Sequence, residues 1–240
     1  MRLEIHLLWY NIIGGTNMIY EYTDEEYIVI IGDIINSRKI TDRKVTQKKL
    51  IASLETINDK YDLAAEFTIS LGDEFQGLLR TRENVMQIIS DLESLMDPIS
   101  IRFGIGIGSI DTERNFKNSL QVDGTAYQRA RKMVESLKEK NQKNKQNQSN
   151  VMIESGEEVE IDELLNSILS LCTAIKSKWT VAQKKTIYTH LSNNQNQYET
   201  ATLRGLEQST ISRQLKSAQF YDYKAGWDTV DSFLRGNRDR

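Results

Sequence analysis

The sequence predicts a mixed α/β domain, with helices packed on a mainly antiparallel sheet, followed by an all-helical domain. Three observations carry this expectation. Tyr27-Ile-Val-Ile-Ile-Gly-Asp-Ile34 is an almost wholly apolar run rich in β-branched residues, the pattern of a strand buried on both faces. The periodicities that follow run strand, helix, hairpin, helix, strand, helix. Residues 158 to 240 read as helices throughout.

Each element has its own reason. Residues 42–60 place Val45, Leu50, Leu54 and Ile57 near helical spacing, with no glycine or proline. Glu66 to Leu71 alternates, which puts Phe67, Ile69 and Leu71 on one face. Gly72-Asp73 then makes a turn, and Phe75 to Leu79 returns as the second strand of a hairpin. Residues 82–96 form a helix with Val85, Ile88, Ile89 and Leu92 inward. Pro98, the only proline, precedes a strand from Ile99 to Ile110. A helix over 123–140 dissolves into Asn141 to Asn150, where seven of ten residues are Asn or Gln, a solvated linker. Val151-Met-Ile adds a last strand. The expected divisions are an N-terminal extension over 1–18, either preceding a true initiator at Met18 or a real frayed start from Met1, an α/β domain over 19–155 and a helical domain over 158–240.

Composition narrows the function. The 240 residues carry a formal charge of −3, which excludes a uniformly basic, histone-like chain. The balance is uneven: residues 1–140 hold 18 Lys/Arg against 22 Asp/Glu, whereas residues 176–240 hold 11 against 6. An acidic body with a basic end suggests that only the end meets a polyanion. A single cysteine, Cys172, forms no internal disulfide, and no apolar run reaches the roughly 20 residues of a membrane helix. The expectation is a cytoplasmic protein with no membrane partner.

Two features of the first domain bear on chemistry. Asp33 ends a buried apolar strand, where a carboxylate is costly unless compensated. Asp73 sits at the hairpin tip. If the strands are neighbours, the two carboxylates converge, as a cage for Mg²⁺ or Mn²⁺ requires; otherwise Asp33 caps a turn and Gly72-Asp73 only shapes the hairpin. In Arg102-Phe-Gly-Ile-Gly-Ile-Gly108, period two leaves Gly104, Gly106 and Gly108 on one face. A strand face without side chains admits either a closely packed helix or a nucleotide.

Gly32-Asp-Ile-Ile-Asn-Ser-Arg38, Ser70-Leu-Gly-Asp-Glu-Phe-Gln-Gly77, Arg102 to Gly108 and Asp123-Gly-Thr-Ala-Tyr-Gln-Arg-Ala-Arg131 together resemble the SatD family. More distantly, they are similar to the ferredoxin-like palm of class III nucleotidyl cyclases and GGDEF diguanylate cyclases. That resemblance implies a nucleoside triphosphate or cyclic nucleotide as ligand and a homodimer. It assigns metal to Asp33, Asp73 and the Ile34 carbonyl. Gly72, Gly104 and Gly106, with Arg38, Arg129 and Arg131, become candidates for the nucleotide, since guanidinium suits phosphate oxygens. Asp33, Asp73 and Arg131 are the candidates for catalysis. Two departures weigh against cyclisation: Leu71 replaces the first glycine of the GGDEF signature, and Tyr127 stands where the cyclases carry an asparagine.

In the second domain, Trp179, Ala182, Ile187 and Leu191 fit one helix face. Tyr198 to Lys216 resembles a helix-turn-helix, with Ala201 at the crossing, Gly205 in the turn, and Leu206, Ile211 and Leu215 inward. Gln208, Ser209, Thr210, Ser212, Arg213 and Lys216 would then lie on the recognition helix, facing double-stranded DNA. The alternative use of such a pattern is a dimerising hairpin. Residues 221–234 are expected to close the domain as a final helix. Three functions fit: a transcriptional regulator with a nucleotide-binding palm, an active nucleotidyl cyclase or nucleotidyltransferase, or a DNA-binding protein whose palm is a dimerisation scaffold.

Overall fold

The computed structural model describes residues 26–111, 123–143 and 149–236. The expected extension over 1–18 and the choice of Met18 lie outside the described residues, as does the middle of the Asn/Gln-rich linker. Among the described residues, β1 (Tyr27–Ile34) is buried at all eight positions. It sits at the centre of a five-stranded sheet of order β2-β3-β1-β4-β5. Its neighbours are β3 (Glu74–Leu79) and β4 (Ile101–Gly108), both antiparallel to it. β2 (Ala65–Leu71) completes the hairpin with β3, and β5 (Val151–Glu154) joins β4 in parallel. Helices α1 (Arg43–Lys60) and α2 (Val85–Met96) link the first four strands as β-α-β-β-α-β, the split ferredoxin-like arrangement.

The pleat of β1 divides the protein. Ile28, Ile30 and Ile34 join Leu50, Leu54 and Ile57 of α1 and Ile88, Ile89 and Leu92 of α2 in one apolar cluster. Val29 and Ile31 point the other way, toward Ala126, Ala130 and Val134 of α3 (Thr125–Lys143). This second face settles the use of the β4 glycines. A Cβ on Gly104 would strike the Ala130 carbonyl, and one on Gly106 the Ala126 carbonyl. The glycine face is therefore filled by the backbone of α3, and the expected nucleotide contacts at Gly104 and Gly106 are replaced by helix packing.

Three smaller expectations fail for identifiable reasons. Leu71 is 81% exposed, because register shifts in the β2–β3 pairing carry the strand end out of alternation. Val45 is exposed in the first turn of α1, where Asp42 caps its N–H and Thr46 turns inward instead. Asn150 ends the supposed linker as an anchor: its amide donates to Glu93 and to the Ile101 carbonyl, and its oxygen accepts from Thr173.

The C-terminal part comprises α4 (Val159–Lys176), α5 (Val181–Ser192), α6 (Gln197–Arg204), α7 (Gln208–Ser217) and α8 (Phe220–Leu234). Trp179 is buried just ahead of α5 and donates its indole N–H to the Ala218 carbonyl. Ala182 is exposed, so α5 buries Thr186, Ile187 and His190 in its place. Tyr223, Trp227, Val230 and Leu234 of α8 share the apolar cluster that reaches the sheet through α2 and α4. Across this junction Lys176 of α4 pairs with Glu93 of α2 at 2.5 Å, both nearly buried.

Two outcomes test this packing. Gly106→Ala should lower stability by at least about 2 kcal/mol in urea unfolding, because the clash is with helix backbone; a wild-type midpoint would mean that α3 stands off the sheet. His190, buried against Phe220 and Thr200, is held below its ordinary value of 6.5 by burial. The unfolded chain therefore takes up the proton first, so this stability is present above 6.5 and is lost as pH falls through the lower folded value. Between about pH 7.5 and about pH 5.5, wild type should lose more stability than His190→Gln.

Candidate functional site

The carboxyl end of β1 gathers the charged side chains. Asp33 lies opposite Glu74 on one side and Arg102 on the other, in register with both. Its position in the pleat turns it toward α3, where Arg131 and Lys138, two helical turns apart, point back at the strand ends. The Arg102 guanidinium donates to Asp33 Oδ2, and both side chains are nearly buried. The Lys138 ammonium lies 3.5 Å from Asp33 Oδ2 and 3.6 Å from Glu74 Oε2, bridging the two carboxylates. Arg131 takes the remaining oxygen of Glu74 at 3.2 Å. Burial pushes the Asp33 carboxyl above its usual range. The charges of Lys138 and then Arg102 pull it back, and that of Asp73 raises it further.

Beside this cluster, on the α1 face, a cleft of about 240 Å³ opens between the hairpin tip, the β1 end and α1. Ile34, Ile40 and Leu50 make its apolar wall. Ser37, Arg43, Thr46, Gln47 and Asp73 supply its polar groups. Asp73 Oδ2 is buried there with no hydrogen-bond partner among the described residues. Gly72, at φ 65°, makes the turn that holds Asp73 in place and itself lines the cleft. Ile34, whose carbonyl is the expected third metal ligand, lines the cleft.

The other expected residues divide. Arg38 is exposed on the 3₁₀ turn Ser37–Lys39, of which Ser37 rather than Arg38 lines the cleft. Arg129 does not face the site: it donates to the Ile107 carbonyl and packs on Gly156. Tyr127 is buried between α3 and the sheet, its hydroxyl without a hydrogen bond among the described residues and its pKa pushed well up by that burial. Sequence reasoning missed Arg102, Lys138 and Glu74. Arg102 was legible, since period two from Gly104 puts it on the α3 face; Lys138 needed the crossing of α3.

The arrangement differs from the expected two-carboxylate metal cage. Asp33 and Asp73 are close enough to influence one another, yet Arg102 and Lys138 both hold Asp33 at Oδ2 while Asp73 borders the cleft. Among the described residues no group of three or more His, Cys, Asp or Glu is placed to hold a metal ion. A divalent cation between Asp33 and Glu74 would have to share the space with a lysine and lie beside two arginines. The donor set does not fit it.

A second candidate surface lies on α7. Ile211 and Leu215 are fully buried, and Ala201 packs at the crossing with α6. Gly205, at φ 62°, makes the left-handed turn between the helices. Leu206, expected inward, is 37% exposed, because the turn carries it to the rim. Ser209, Arg213 and Lys216 are exposed, and Gln208, Thr210 and Ser212 partly so. Gln208 is tied to Gln197, and Arg213 to Thr210.

The SatD family description matches residues 27–226, which include the strand-end cluster, the cleft and α7. The chain belongs to the SatD family. No curated protein matches it. Among solved structures, this SatD-family chain is similar to a microbial GGDEF domain studied in its interaction with bis-(3,5)-cyclic di-GMP. The identity is 16% and the TM-score 0.37, over 54% of this chain and 77% of that one. It is also similar to a regulator of polyketide synthase expression from Bifidobacterium adolescentis. Here the identity is 12% and the TM-score 0.27, over 90% and 87%. No described helix of the SatD-family chain is long and apolar enough to cross a membrane.

The cluster makes a stability prediction with a built-in contrast. Asp33→Ala leaves the Arg102 guanidinium buried and unpaired and should cost about 3–5 kcal/mol. Arg131→Ala removes a half-exposed partner and should cost less than about 1 kcal/mol. Urea denaturation of both variants checks this; equal costs would mean that Asp33 and Arg102 do not form a buried pair.

Proposed function

We propose that this protein is a nucleotide-responsive regulator that binds double-stranded DNA through α7. The observation that carries the nucleotide part is the cleft and its setting. Apolar walls with a few polar groups, one of them an unpartnered buried carboxylate oxygen, suit a heterocyclic base. Arg131 and Lys138 stand a strand-end away and suit phosphate oxygens. The hairpin joins the two, with Asp73 on the cleft and Glu74 on the cations. The finer reading of the sheet as a cyclase-type palm rests on the β-α-β-β-α-β order. Against turnover stands Tyr127, whose buried side chain leaves no room for a transition-state contact there.

The DNA part is supported by the outward face of α7, by its buried Ile211 and Leu215, and by the excess of basic residues after position 175. In this reading α6 and α7 form a helix-turn-helix, and Gln208, Ser209, Thr210, Ser212, Arg213 and Lys216 meet phosphates and base edges. Regulation would pass from the cleft along the β1 end. Ile35 donates to the Ser100 carbonyl at 2.9 Å, Asn150 holds the neighbouring Ile101 carbonyl, and Asn150 is fixed by Glu93 and Thr173 of α2 and α4. A homodimer, placing two α7 helices on successive turns of one DNA face, completes the proposal.

Two measurements test it. Fluorescence anisotropy on a labelled duplex at low salt should show binding. The double variant Arg213→Ala/Lys216→Ala should weaken it and reduce the salt slope by about two; unchanged binding would refute the assignment of α7. Nucleotides added to the purified protein should raise its melting temperature, and Arg43→Ala/Gln47→Ala in the cleft should abolish the shift. The triphosphates should be recovered intact by mass spectrometry. A cyclic or linked product would make the protein an enzyme instead.

A further inference from the structure

The strand-end cluster carries more than a phosphate contact. Two carboxylates, Asp33 and Glu74, are met there by three cations: Arg102 and Lys138 both face Asp33 Oδ2, Arg131 faces Glu74 Oε1 and Lys138 faces Glu74 Oε2. The three cations differ in how they are held. Arg102 is nearly buried and fixed in the sheet beside Asp33. Arg131 is half exposed and caps Glu74 from outside. Lys138 alone bridges both carboxylates, from a flexible stem that is one-third exposed. Its ammonium lies between the acids of β1 and β3, at the point where a divalent ion would have to sit to bind both.

We propose that Lys138 is the built-in cation of this site, supplying from α3 the positive charge that a bound metal ion would otherwise provide between Asp33 and Glu74. Charge and geometry both favour it. An ion of charge +2 placed there would face Arg102 and Arg131 within a few ångströms, a like-charge repulsion that the ammonium halves. Asp73, which would be a further ligand, borders the cleft. The ammonium is a compact point charge with three donors, so it satisfies two carboxylates and keeps a donor for a third acceptor. The glycine face of β4 is what makes this reach available. With a side chain at Gly104 or Gly106, α3 would ride higher and Lys138 would fall short. One consequence rests on the nucleotide reading above: a phosphate ligand bound at this site needs no divalent ion.

Solution EPR of Mn²⁺ tests the proposal on the full chain without any nucleotide. Wild type should leave added Mn²⁺ free. Lys138→Ala, which removes a partly exposed side chain and keeps the buried Asp33–Arg102 pair, should bind it, and Asp33→Asn/Lys138→Ala should lose it again. Lys138→Gln retains most of the stem and should behave like Lys138→Ala, with far-UV circular dichroism confirming that both fold. Wild-type binding of Mn²⁺ that Asp33→Asn abolishes would overturn the proposal. So would a failure of both Lys138 variants to bind it. A second arm measures a fluorescent nucleoside triphosphate. Wild-type affinity should change by less than about twofold between EDTA and Mg²⁺, whereas Lys138→Ala should weaken by about tenfold in EDTA and recover in Mg²⁺. A wild type that binds only with Mg²⁺ would overturn the metal-independence. A wild type that binds no nucleotide in either condition would overturn the nucleotide reading, while the Mn²⁺ arm still decides the role of Lys138.

Discussion

The backbone of α3 lies directly on β4, and the rest of the site depends on that contact. Only a strand bare of side chains lets a helix approach so closely. Gly104 and Gly106 meet the carbonyls of Ala130 and Ala126, and Val29 and Ile31 of β1 fill the flank. Dispersion and hydrophobic burial hold the helix there. Its height over the sheet then fixes where its longer side chains end. Arg131 and Lys138 come down on the β1 and β3 ends, so a packing constraint in the core sets the electrostatics at the edge.

That edge balances charge in a setting where imbalance is expensive. Asp33 is nearly buried and lies among apolar strands, so it survives as a carboxylate only because Arg102 and Lys138 stand against it. The opposite face of the same hairpin carries a cleft bordered by the Asp73 carboxylate. Asp73 and Glu74, adjacent in the chain, therefore serve different surroundings: one borders the cleft, the other lies among the cations. This gives a ligand two kinds of contact without any loop having to move.

The helical part is not an appendage on a tether. Asn150 reads as part of a polar linker, yet its side chain ties β4, α2 and α4 together, and Lys176 and Glu93 form a nearly buried pair beside it. The apolar cluster continues through this junction into α8. A buried ion pair adds little net stability but penalises any arrangement that separates its members. It thus favours one orientation of the helices on the sheet, and any change at the β1 end meets that fixed junction through Ser100 and Ile101.

Periodicity was enough to locate β1, the hairpin, α1 and α2, because burial on one or two faces writes itself into the spacing of apolar residues. The sequence put Asp33 and Asp73 at one sheet edge only on the condition that their strands were neighbours, and a resemblance to a helix-turn-helix marked the helix pair around Gly205. Sequence reasoning failed at Val45 and Leu71, where a cap and a register shift override alternation, and at Arg129, whose length lets it turn back to a carbonyl. Local spacing also left open whether the β4 glycines serve a helix or a ligand. Only the tertiary structure decided that, since the answer depends on which residues lie across the sheet, 20 to 30 positions away. It decided for the same reason that Lys138 and Arg102 meet Asp33: charges far apart in sequence become partners when a helix crosses a strand, and no local pattern records the crossing.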